Sequence, residues 1–219
     1  MPQRKRISLG LSLLVLLVAA LTAVPIHGDQ QSFPPPSVSL AMMLAGGFAT
    51  YMVAGRAWGV TVLLLSIVAV LWTELSRSAA APSGHVVPGF IFAASSVLSA
   101  AALTRAALRP GVRGEDRVYH GITSYLLIGM AFAAVQHRVA ILSPGSFRIP
   151  DGGPGKWVDF LWLSFSTLTT AGFGDVVPVS SWARLVCTLE AVTGVMFPAI
   201  FIARLVTEAS EDSEKSVPG

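Results

Sequence analysis

TLTTAGFGDVVP, residues 167–178, sets two glycines on either side of an aromatic residue, behind three threonines and ahead of an aspartate. Glycine adopts left-handed backbone angles at little steric cost, so the stretch is built for an unusual main-chain path. Its surroundings make that notable, because the chain of 219 residues is 53% hydrophobic and only 12% charged, with a mean hydropathy of +0.67. Too little polar surface is left to clothe a soluble fold, and the lipid bilayer is the expected solvent. The single cysteine, Cys187, rules out an intrachain disulfide framework and a cysteine-cluster metal site. No basic stripe interleaved with aromatics points to nucleic acid. His27, His85, His120 and His137 are scattered among loops and helix ends, which is no pattern for a metal centre.

Outward from the glycines, the chain divides into long apolar runs separated by short polar breaks. A spanning helix needs about 17 to 25 such residues. Six runs qualify, near residues 7–24, 38–54, 58–75, 88–108, 119–142 and 181–206. Between the last two lies a shorter apolar piece, residues 158–169, which is too short to cross and is expected to enter the membrane and stop. The expected architecture is an all-helical membrane protein of six spans with a re-entrant half-helix between the fifth and sixth. Its expected divisions are a peripheral four-helix region over 1–110, a second region over 111–206 and a disordered tail over 207–219.

Lysines and arginines accumulate on the cytoplasmic side of short loops. Alternating six spans from a cytoplasmic start puts ten of the fifteen inside and leaves Arg77, Arg138, Arg148, Lys156 and Arg184 outside. Both termini are therefore expected to be cytoplasmic. The basic start followed by an apolar run also fits a cleaved signal peptide, and the first span keeps that second reading.

The opening stretch now has a place, at the end of the half-helix. Backbone that is neither helix nor closed barrel survives at membrane depth only where it is buried in protein or lines a water-filled passage. Thr169-Thr170-Ala171-Gly172-Phe173-Gly174-Asp175 resembles the potassium-channel selectivity filter, TVGYG followed by aspartate, with Ala171 at the valine and Phe173 at the tyrosine. Trp162 in the half-helix, and Pro178, Trp182 and Arg184 beyond the filter, continue the resemblance, which covers residues 118–206, under half the chain.

The resemblance implies that the carbonyls of Thr170, Ala171, Gly172 and Phe173, with the Thr170 hydroxyl, replace the hydration water of a potassium ion. Gly172 and Gly174 allow the backbone angles, and Phe173 points away from the axis. Asp175, Trp162 and Ser166 support the filter, Trp162 being placed to reach Asp175. The negative end of the half-helix dipole, at Thr169, favours a cation beside it. One strand cannot surround an ion, so a homotetramer is implied, with potassium as the permeant ion and no cofactor.

Two features of the last span extend this reading. Pro198 has no amide hydrogen for the carbonyl of Gly194. A bend is expected between them, serving either as a gating hinge or as a static kink, with Val195, Ala199 and Ile202 lining the passage at helical spacing. Glu190 is the one carboxylate well inside a span, which makes it a functional candidate. Counted back from Val195 it faces away from the axis, where it would support the filter through Ser166, Thr167, His137 or Arg138.

Voltage sensing is not expected, because the fourth span carries only Arg105 and Arg109, four apart at its end, rather than a series at every third position. His137, beside Arg138, is a candidate for tuning the response to pH. The expected function is passive potassium conduction across a bacterial plasma membrane. A less selective monovalent cation channel and a non-conducting accessory subunit stay open beside it. A membrane-embedded hydrolase is disfavoured, because no histidine pairs with a serine at depth.

Overall fold

The computed structural model describes residues 86–109, 112, 114–150, 152, 153 and 155–215, with five isolated helical positions between 60 and 68. The first two expected spans, and most of the third, lie outside the described residues. Helix α1 runs Val86–Ala107 and α2 Gly114–Leu142. A two-residue strand β1, Phe147–Arg148, precedes the half-helix α3, Trp157–Leu168. After the glycine stretch come β2, Val177–Pro178, and the long helix α4, Ser181–Lys215. Three of these helices are long and apolar enough to cross a membrane: α1, α2 and residues Ser181–Thr207 of α4. Apart from the antiparallel pairing of Phe147 with Pro178 and Arg148 with Val177, the described structure is all-helical.

Helix α1 packs along α2 through small residues. Ala93, Ser96, Ser99 and Ala100 of α1 and Ala131, Ala133 and Ala134 of α2 are buried, and such side chains let helix backbones approach closely. The Ser124 hydroxyl lies 3.1 Å from the Ala100 carbonyl across the interface and 2.8 Å from that of His120 in its own helix. Phe92 and Ala93 join Met130, Ala131, Ala133, Ala134 and Trp157 in one apolar cluster, so α1 is built into the same core as α2 and α3. At the far end of this interface a β-carbon on Gly89 would lie 1.8 Å from Arg138 Nε. Arg138 is fully buried, and glycine at position 89 leaves the volume that its guanidinium fills. His137 is likewise buried, its ring against Phe160 at 5.2 Å and Trp157 at 6.0 Å.

A second cluster seats α3. Phe160, with no exposed surface, shares a buried cluster with Ala140, Phe147, Ile149, Leu163, Val176, Ala183 and Cys187, and its ring meets that of Phe147 edge-on at 5.2 Å. This cluster joins both flanking helices to the two strands that frame the glycine stretch. Helix α4 continues beyond Val206 as far as Lys215, where a disordered tail was expected from residue 207. The residues 208-EASEDSEK-215 contain glutamate, alanine and lysine, all good helix formers, and no glycine or proline. The first breaker is Pro218, so a helix already nucleated in the span has no reason to stop at the membrane edge.

Candidate functional site

The half-helix starts where Asp159 accepts the Lys156 backbone N–H at 2.7 Å, the carboxylate half of a capping box. It ends after Leu168, and the last four carbonyls of a helix need partners from outside it. Phe165 receives the Thr169 amide at 3.1 Å, Ser166 the Gly172 amide at 3.1 Å, and Thr167 the Thr170 amide at 3.0 Å. The Tyr125 hydroxyl of α2 donates to Leu168 at 3.0 Å. Each of the four carbonyls is thus satisfied. Three of their donors come from the glycine stretch itself, which is thereby folded back onto the helix it leaves.

That stretch holds the expected backbone angles and one that was missed. Gly172 and Gly174 have φ of +56° and +77°, and Thr170 has φ of +60°. For a β-branched residue the left-handed region costs about 1–2 kcal/mol. Threonine at this position therefore has to be held there by its surroundings, among them its bond to Thr167. Residues Thr169 to Asp175 are exposed, whereas Val176 is buried in the cluster around Phe160. The return from the glycine stretch is anchored further by β2 and by the amides of Val179 and Ser180, both donating to the Ser146 carbonyl.

The aromatic residue between the glycines stacks on α3. Phe173 and Trp162 have ring centroids 4.7 Å apart at 18°, both partly exposed. No hydrogen bond joins Trp162 to Asp175 among the described residues. Ser166 turns inward and donates to the Leu163 carbonyl at 2.9 Å, so its link to the glycine stretch runs through its own carbonyl.

Glu190 has partners other than those expected. Its carboxyl group is fully buried among α2, α3 and α4, with Oε1 against the Ser164 hydroxyl and Oε2 receiving Gln136 Nε2 at 2.5 Å. Ser166, Thr167, His137 and Arg138 are not among its hydrogen-bond partners. The reason is helical phase: Ser164, two residues from Ser166, faces the α2–α4 seam, and Gln136 precedes His137 on the face turned toward α4. Both are polar residues within apolar helices, a signal available from the sequence.

Gly194 is pressed against the end of α3, where an added β-carbon would lie 2.0 Å from the Leu168 carbonyl oxygen. One carbonyl therefore sits between the Tyr125 hydroxyl and a residue that has no side chain. Below it, Tyr125 lies 6.1 Å from Phe197, and Phe197 stacks on Phe201 at 5.8 Å. Phe201 in turn fills the space that a side chain at Gly121 would need. Helix α4 passes through Pro198 without interruption, and Val195, Ala199 and Ile202 form an exposed stripe along it.

Residues 121–211 match the model of a family described as "Ion channel". Over 78 residues, 36% of this chain, it is 35% identical to the rat (Rattus norvegicus) intermediate conductance calcium-activated potassium channel protein 4, of which it spans 18%. Over 88 residues, 40% of the chain, it is 32% identical to Protein LctB of Geobacillus stearothermophilus, of which it spans 63%. It thus spans less than two thirds of either relative. No solved structure matches it. A half-helix ending in a glycine-punctuated loop between two long apolar helices thus lies within the segment that matches the ion-channel family model and is similar to part of a protein named as a potassium channel.

Proposed function

We propose that the protein is a homotetrameric potassium channel of the bacterial plasma membrane, passing ions passively through a filter formed by Thr170, Ala171, Gly172, Phe173 and Gly174 of each copy. The observation that carries this reading is the alternation of left-handed backbone at residues 170, 172 and 174, immediately after a half-helix with every terminal carbonyl satisfied. Taking a small ion out of water costs on the order of 20 kcal/mol by idealised Born estimates, and only a ring of oxygens can offset it. Main-chain carbonyls at consecutive positions supply such a ring when four strands meet. The naming of one relative as a potassium channel supports the choice of ion.

In this reading six spans cross the membrane with both termini cytoplasmic, and the leading helices lack a voltage-sensing arginine series. Val195, Ala199 and Ile202 line the inner passage. Gly194 and Pro198 permit the inner helix to bend there. Asp175, Trp162, Ser166 and Glu190 hold the filter in place from behind.

Ala171 and Phe173 favour a second reading, a monovalent cation channel of lower selectivity, because both depart from the commonest filter. Reversal potentials of the reconstituted protein between potassium and sodium solutions separate the two. A shift close to the potassium equilibrium potential supports selectivity, and a reversal near zero supports the second reading. Absence of any flux from liposomes holding pure protein would instead mark a non-conducting subunit.

A further inference from the structure

Ser164 Oγ lies within hydrogen-bond reach of two acceptors, the Gly129 carbonyl at 2.6 Å and Glu190 Oε1. A hydroxyl has one proton. Ser124 also faces two carbonyls, at 2.8 and 3.1 Å, and only the nearer lies at the usual hydroxyl distance. Both acceptors of Ser164 lie within that distance. If Ser164 donates to Gly129, the bond to Glu190 needs a second hydrogen, and only the carboxyl group can bring it.

The rest of the pocket agrees. Glu190 is fully buried, and among the described residues no lysine, arginine or histidine pairs with it. Its neighbours are the neutral Ser164 and Gln136, and an ionised carboxylate in such a setting lacks compensation. We propose that Glu190 is a protonated carboxylic acid, donating to Ser164 Oγ, which donates to the Gly129 carbonyl, while Gln136 donates to the acid's other oxygen. The chain of bonds joins α4 to α3 and α3 to α2 through one proton on the carboxyl. Glu190 and Ser164 are positioning residues: they touch no ion, and fix the half-helix whose end carries the filter.

The other titratable groups around this site are few. Cys187 shares the Gln136 amide with Glu190 on α4, at 3.5 Å. On α2, Tyr125 is bound to the Leu168 carbonyl, His137 faces Phe160 and Trp157, and Arg138 packs against Gly89. On α3, Asp159 is engaged at the helix start. None stands in for the carboxyl proton.

The proton itself is independent of the conduction reading, whereas its positioning role rests on it. Infrared spectra of the full wild-type chain in potassium-containing liposomes are expected to show a protonated-carboxyl band at neutral pH that disappears at alkaline pH and is missing from Glu190→Gln. A carboxylate band at Glu190 at neutral pH overturns the proposal, whether or not the protein conducts. Potassium flux is expected to fall as pH rises in the wild type. In Glu190→Gln, whose amide also donates to Ser164 and accepts from Gln136, it should stay flat and within about twofold of the neutral value, whereas Ser164→Ala loses about tenfold through stranded buried partners. Matching pH profiles in wild type and Glu190→Gln overturn the positioning role.

Discussion

Gly194 shows how one residue can satisfy two explanations that call for different experiments. Its freedom suits a hinge, yet its missing side chain is already required by the Leu168 carbonyl, 2.0 Å from where a β-carbon would sit. Backbone cannot swing aside as a flexible side chain can, so Gly194→Ala is expected to destabilise the fold by about 1–3 kcal/mol or more. Thermal unfolding of the purified variant in detergent checks this. Pro198→Ala, which restores a backbone donor inside α4, is expected to leave stability near the wild-type value while changing open probability in single-channel records; unchanged open probability marks a static kink. Tyr125→Phe strips the donor from that same Leu168 carbonyl. It should cost about 0.5–1.5 kcal/mol in the same unfolding assay.

Among the elements, the long helices and the half-helix were legible because length and hydropathy are properties of a run. The expected spans at 88–108, 119–142 and 181–206 meet α1, α2 and α4 closely, except that α2 starts at Gly114 and α4 runs on to Lys215. Gly172 and Gly174 announced their backbone angles by residue type. Thr170 could not, since only the bonds at the end of α3 hold a β-branched residue there. The partners of Glu190 were missed because pairing depends on rotational phase between three helices, which a pattern along one chain does not encode. The anchoring of α3 was equally invisible, since it depends on Phe147, Phe160 and Val176 meeting across the strands. Phe160 is a fully buried member of that cluster, and Phe160→Ala is expected to cost about 3–5 kcal/mol and to abolish flux with it. Circular dichroism melting alongside liposome flux tests whether the two losses coincide.

At the scale of the whole molecule, the exposed apolar faces of α3 and α4 fit the proposed assembly of four copies. Trp162, Phe173, Val192, Val195, Met196 and Ile202 are apolar and exposed in a single chain, more than a monomer would present to water in a passage. Chemical cross-linking in detergent is expected to give a ladder ending at four copies of the 23.0 kDa chain. A ladder ending at two would remove the four-fold filter. Helix α4 carries a consequence for how the chain sits in the cell. Its 35 residues extend about 50 Å at 1.5 Å each, against a hydrocarbon layer of about 30 Å. The final turns must emerge as a rod into the aqueous phase, where a soluble protease sealed on one side of a vesicle can shave them, and the side on which cleavage occurs reports the sidedness of the whole chain.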